Sequence, residues 1–145
     1  MSEILSERFV KRAAIAWLSR QGYSRNLKER EAGEHGVDIK VRHKKYPRYY
    51  LVEVKGDPDP KKVKYLSSRR EVSFVYAVGQ IFLRMKHKAN YKYGIAFPEG
   101  YASKVFKRLP WVLCKKCRLN VLLVNKDGKV KNFTWKELKH QKRER

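Results

Sequence analysis

Acidic side chains are scarce in this chain. Only 14 Asp and Glu stand against 36 Lys and Arg, which leaves a formal charge of +22 on 145 residues. The shortage is also uneven. No acid occurs from Val72 to Pro98, where Arg84, Lys86, Lys88 and Lys92 lie, and none from Gly100 to Lys126, where Lys104, Lys107, Arg108, Lys115, Lys116, Arg118 and Lys126 lie. Thermophile surfaces gain charge by mixing signs, and these stretches do not mix them. Self-repulsion on this scale calls for a polyanionic partner, and nucleic acid is the expected one. Long apolar runs are missing as well: none approaches the roughly 18 residues of a membrane span, so no membrane partner is expected. Cysteine is limited to two residues. With no secretory pattern at the N-terminus, a reducing cytoplasmic setting near the nucleoid is expected. Against these shortages, 42% apolar and 12% aromatic content argues for a folded core rather than a basic tail. The length suits one domain over residues 1–145.

Residues 3–21 read as an amphipathic helix on the recurrence of Glu7, Val10, Ala14 and Leu18, ended by Gly22. Residues 23–31 read as a short strand with poor alternation. Val37, Ile39 and Val41 alternate with Asp38, Lys40 and Arg42, the period of a half-buried strand. After the turn "HKKYPR", Leu51, Glu53 and Lys55 share one face of a second strand, which Gly56 and "DPDP" end. From about Lys62 to Lys88 the period becomes helical, with Val75, Val78, Phe82 and Met85 as its apolar stripe. "YGIAFP" reads as a strand, "ASKVFKRL" as a helix, "NVLLVN" as a buried strand, and "KDGK" as a hairpin turn into "VKNFTW". A basic tail from about residue 136 reads as helical. The predicted fold is mixed α/β, a central mixed sheet flanked by helices.

One stretch concentrates unusual charge. In "GVDIKVRHKKYPRYYLVEVKG" two of the rare acids, Asp38 and Glu53, fall on the two strands of a hairpin. Strand alternation puts Glu53 and Lys55 side by side, about 7 Å apart. Two carboxylates brought together repel unless a cation lies between them. Mg²⁺ suits such a place, because it takes one or two carboxylates, keeps waters and joins phosphate oxygens. A lysine beside it can orient or deprotonate an attacking water. The plain alternative is a set of surface salt bridges, which would contribute little.

"GVD" followed 15 residues later by "VEVKG" resembles the PD-(D/E)XK nuclease superfamily, and the element order from roughly Glu3 to Val124 is similar to its α-β-β-β-α-β, restriction-endonuclease-like core. Val37 stands where the family name has Pro. The resemblance implies Asp38, Glu53 and the Val54 carbonyl as metal ligands for Mg²⁺, with Mn²⁺ as a substitute, and Lys55 as the catalytic lysine. It further implies an acid on the first helix, Glu7, with Glu3 one turn earlier as its substitute. On the helix after the motif it implies a glutamine, Gln80, although Arg84 stands where one branch has tyrosine. Arg84, His87 and Lys88, with Lys44, Lys45 and Arg48 of the basic turn, are the expected nucleic-acid contacts.

Cys114 and Cys117 make a lone CxxC pair, too few ligands for structural zinc. The leading expectation is therefore a Mg²⁺-dependent nuclease on structured or double-stranded DNA, an endonuclease of resolvase, repair or restriction type. A resolvase would need a homodimer for paired cuts. The alternative is a non-catalytic nucleic-acid-binding module that keeps the fold.

Overall fold

Three largely apolar runs, "YYLVEV", "YGIAFP" and "LNVLLV", broken only by Glu53 and Asn120 among clearly polar residues, are too short for buried helices and are bounded by turns. Such runs form strands covered on both faces. In the computed structural model, which describes residues 4–24, 38–86 and 88–143, they are the central strands of a five-stranded sheet. The elements run α1 (Glu7–Arg20), β1 (Ile39–Arg42), β2 (Tyr49–Val54), α2 (Leu66–Arg84), β3 (Tyr91–Pro98), a 3₁₀ turn (Glu99–Tyr101), α3 (Ala102–Arg108), α4 (Trp111–Cys117), β4 (Leu119–Val124), β5 (Val130–Phe133) and α5 (Trp135–Arg143). Strand order is β1-β2-β3-β4-β5. The central pairs β2–β3 and β3–β4 are parallel, and the outer pairs β1–β2 and β4–β5 are antiparallel hairpins. This is a mixed α/β sheet flanked by helices.

Alternation along each strand divides the core in two. Ile39, Val41, Tyr50, Val52, Val54, Ala96, Leu122 and Val124 face α1, which buries Val10, Ala13, Ala14 and Leu18 against them. Leu51, Tyr93, Ile95, Phe97, Leu119, Val121 and Leu123 face α2 to α5. Each fully buried aliphatic side chain is worth about 1.5–3 kcal/mol, so both layers stabilise the fold. Helix α1 begins where the Ser6 side chain accepts from the Phe9 N–H at 3.1 Å, with Glu7 favourably placed in its first turn. The β4–β5 turn carries Gly128 at φ 81°, the positive φ that the "DG" pair implied.

Two sequence expectations are revised, at α2 and α4, and two are extended, at the tail and the cysteine pair. Helix α2 buries Phe74, Ala77 and Ile81, whereas Val75 of the predicted stripe is exposed, and Val78 and Met85 are only partly buried. Apolar residues surround this helix, so period alone does not choose a face. Helix α4 was not foreseen; it starts just after Pro110, two residues past the end of α3 at Arg108, and proline is tolerated at a helix start. The basic tail is a docked helix, α5, with Leu138 in the core and Trp135 stacked on Trp111 at 5.9 Å. Cys114 is a buried core thiol pushed up to about 12, first by burial and then by Cys117. The strand predicted at residues 23–31 lies mostly outside the described residues; its Tyr23 pairs in an isolated bridge with His43. No helix among the described residues is long and apolar enough to cross a membrane.

Candidate acid pair and lysine site

Register decides what the hairpin does with its acids. Ile39 pairs with Val52, so one step further Asp38 stands opposite Glu53, and both share the face of Leu51 that looks toward α2. Asp38 then fastens itself to the neighbouring strand, because its Oδ2 accepts the Val54 N–H at 2.8 Å. Glu53 is 2% exposed, and its Oε1 is buried with no hydrogen-bond partner. The nearest cation is Arg84 of α2, with Nε 3.9 Å from Oε1. Burial first, then the charge of Asp38 and a hydrogen bond to it, raise the Glu53 carboxyl to about 8; Arg84 and Lys55 act in the other direction. Burial beside a second carboxylate thus favours the protonated form of Glu53 near neutral pH unless a cation takes the place of the proton.

Lys55 follows directly. Its N–H donates to the Ala96 carbonyl at 3.0 Å, continuing the β2–β3 ladder past the strand end. Its ammonium lies 4.8 Å from the centre of the Tyr76 ring on α2. Tyr76, Gln80 and Arg84 recur every fourth residue along one side of that helix, so Gln80 sits between the residue that touches Lys55 and the one that pairs with Glu53.

The loop after Lys55 locks this end of the sheet to α1. A Cβ on Gly56 would stand 2.1 Å from the Glu7 nitrogen, so only glycine permits the approach. Asp57 accepts the Leu5 N–H at 3.0 Å and donates its own N–H to the Leu5 carbonyl at 2.7 Å. Its other oxygen takes Arg70 Nε at 2.7 Å, while the Tyr101 hydroxyl donates to the Gly56 carbonyl at 3.1 Å. The lock brings the first turn of α1, with Glu7, alongside the loop that follows Lys55.

Asp38, Glu53 and Lys55 are thus brought to one end of the sheet, with Gln80 and Arg84 of α2 on the same side. Arg84, expected on phosphate, is half-buried and engaged with Glu53. Glu3 and His87 lie outside the described residues. Lys44, Lys45, Arg48 and Lys88 are exposed but stand at the opposite end. The turn 43–48 joins the far ends of β1 and β2, about 17 Å along β2 from Val54. Tyr76 and the Asp57–Arg70 clamp were missed. The signal for Asp57 was an acid placed immediately after "VKG" in an acid-poor chain; nothing marked Tyr76.

The residues fit a hard divalent cation. The donors are carboxylate oxygens, two acids share one buried place, and an orphaned oxygen points into it. Among the described residues no group of three or more His, Cys, Asp or Glu is arranged to hold a metal, so the protein side of such a site would consist of this pair with backbone oxygen and water.

No protein-family model and no curated protein matches the chain. Two solved structures do. One is an XisH family protein from Nostoc punctiforme PCC 73102, 12% identical, covering 87% of this chain and 98% of that one with a TM-score of 0.53. The other is an fdxN element excision controlling factor protein from Anabaena variabilis, 11% identical, covering 88% and 98% with a TM-score of 0.52. At these identities the likeness is one of fold: the chain has the fold of XisH family proteins.

Proposed function

We propose that the chain is a Mg²⁺-dependent nuclease of the PD-(D/E)XK type that hydrolyses DNA phosphodiester bonds, more as an endonuclease than an exonuclease. The observation that carries this reading is the contact of Asp38 with a buried Glu53 whose Oε1 has no hydrogen-bond partner, two residues before Lys55. A fold that needed only salt bridges would not bury one acid against another. Asp38, Glu53 and the Val54 carbonyl would hold Mg²⁺, or Mn²⁺ in its place, with Glu7 as a further oxygen donor. The bound cation would supply Lewis-acid stabilisation of the phosphoryl oxygen and lower the pKa of its water. Lys55, held by Tyr76, orients the attacking water and supports charge developing on phosphorus. Gln80 positions the same water or a phosphate oxygen. Arg84 balances the Glu53 charge from the protein side. One neighbour in fold is named for control of element excision, which supports DNA as the polyanion.

The second reading is a binding module that keeps the fold without cutting. It is favoured by Arg84, a protein cation already beside Glu53. Incubation with linear, nicked, single-stranded and four-way-junction DNA, in Mg²⁺ and in chelator, separates the two. Cleavage in Mg²⁺ that is lost in Glu53→Ala and Lys55→Ala is expected. Absence of cleavage on every substrate, or cleavage indifferent to both substitutions, overturns the nuclease.

A further inference from the structure

The end of the sheet remote from the acid pair is also built. A cleft of about 590 Å³ opens there, lined by Tyr23, Tyr46, Arg48, Asn90, Lys92 and Arg118 among others. A second cleft of about 420 Å³ adjoins it, with Lys86, Lys88 and Lys116 in its wall. The two share Ala89, Tyr91 and Arg118, so Arg118 stands on the ridge between them. Among the described residues no carboxylate lines either cleft. Cations converge here without balance. The Lys92 amine is held below its ordinary pKa, by burial first and then by Arg48 and Arg118.

Backbone geometry points to the same residue. Arg118 caps α4 at φ 55° and ψ 44°, and among the described residues it is the one non-glycine with positive φ. That position favours glycine, and a side-chain-bearing residue there costs about 1–2 kcal/mol. The guanidinium donates to the Ala89 carbonyl, which holds the arginine across the ridge. Strain kept at a charged, exposed residue suggests that its side chain is needed for something other than folding.

We infer that this end seats a single nucleic-acid strand, with phosphates among Arg48, Lys92 and Arg118 and a base against Tyr46. Tyr46 is 51% exposed, with the Arg48 guanidinium 5.2 Å and the tilted His43 ring 5.0 Å from its ring centre, a cationic and aromatic cluster on whose exposed part a splayed base can stack. The larger cleft has the size of a site for one nucleotide unit. A ligand that follows both clefts across the ridge is longer than a mononucleotide, and a flexible single strand follows such a path more readily than a stiff duplex. The inference shares with the proposed function only the choice of nucleic acid as partner; it needs no metal and no cutting.

Binding of a short fluorescent oligothymidylate, followed by anisotropy across a salt series in chelator, tests it. Arg118→Gly combined with Lys92→Gln is expected to weaken binding by about tenfold and to lower the log–log salt slope by about 1.4, two phosphate contacts on a single strand. Arg48→Gln with Lys92→Gln, both at exposed positions, provides a second pair that leaves the backbone untouched. Arg8→Gln with Arg12→Gln, exposed on the half of α1 nearer the acid end, removes the same charge and is expected to change little. The inference is overturned if the cleft pairs bind as wild type, if the α1 pair weakens binding equally, or if adenosine monophosphate or a duplex of equal length competes as well as the oligothymidylate. Because binding is read in chelator, a loss of cleavage alone leaves this result unaffected.

Discussion

Strands β2, β3 and β4 run parallel, so the sheet has two unlike ends. At their carboxyl ends lie the buried acid pair, Lys55 and the loop that clamps α1. At their amino ends lie Arg48, Lys92 and Arg118, with no carboxylate among the described residues of either cleft. One hairpin contributes to both, with Asp38 and Glu53 at one end and Arg48 at the other. The contrast teaches that the charge of +22 is not a uniform coat. At one end Asp38, Glu53 and Asp57 are held by the fold, and at the other Arg48, Lys92 and Arg118 converge on open clefts.

The comparison breaks most readily at the acid end. Lys55→Ala is expected to lower Mg²⁺-dependent cleavage by about 10²–10⁴-fold while oligothymidylate binding in chelator stays at the wild-type value. A parallel loss of binding would merge the two ends into one site. Gly56→Ala should come next, because its Cβ would press on the Ser6–Glu7 backbone rather than on a side chain that can move. A loss of at least about 1–3 kcal/mol is expected in denaturant unfolding. Wild-type stability would show that α1 is not clamped here.

The third effect depends on pH. Glu53 is raised from an ordinary 4.5 to about 8, so the metal-free native state binds a proton that the unfolded chain has released. Stability should be highest below the unfolded value and fall as pH rises from there through about 8. Glu53→Gln should flatten that slope, so the variant gains on wild type as pH rises, measured by denaturant midpoints in chelator. Equal slopes would mean that Glu53 does not keep a proton in the native state. The smallest effect belongs to the basic end. Arg118→Gly should raise stability by about 1 kcal/mol through relief of the left-handed cap, even as strand binding weakens. A less stable variant would show that the arginine serves the fold.

Much of the acid end was legible because strand period is two: alternation alone put Glu53 and Lys55 on one face, and the hairpin brought Asp38 to it. Hairpin direction also implied that "HKKYPR" lies far from the acids, although charge counting drew the two together. Helix faces were harder to read. In "VSFVYAVGQIFL" apolar residues occur on every side, so Val75 and Phe74 could exchange roles until the sheet chose Phe74. The Asp57–Arg70 clamp joins residues 13 apart through a loop that no local period describes. Arg118 could not be found at all from sequence, because its distinction is a backbone angle.

The most direct test is of the acid pair itself. Mn²⁺ titrated into the protein at about pH 8, where the pair gives up its proton, is followed by electron paramagnetic resonance of the free ion. One bound ion per chain in wild type, lost in Glu53→Gln with the fold intact by circular dichroism, is the result predicted. No binding in wild type, or equal binding in the variant, would contradict the account.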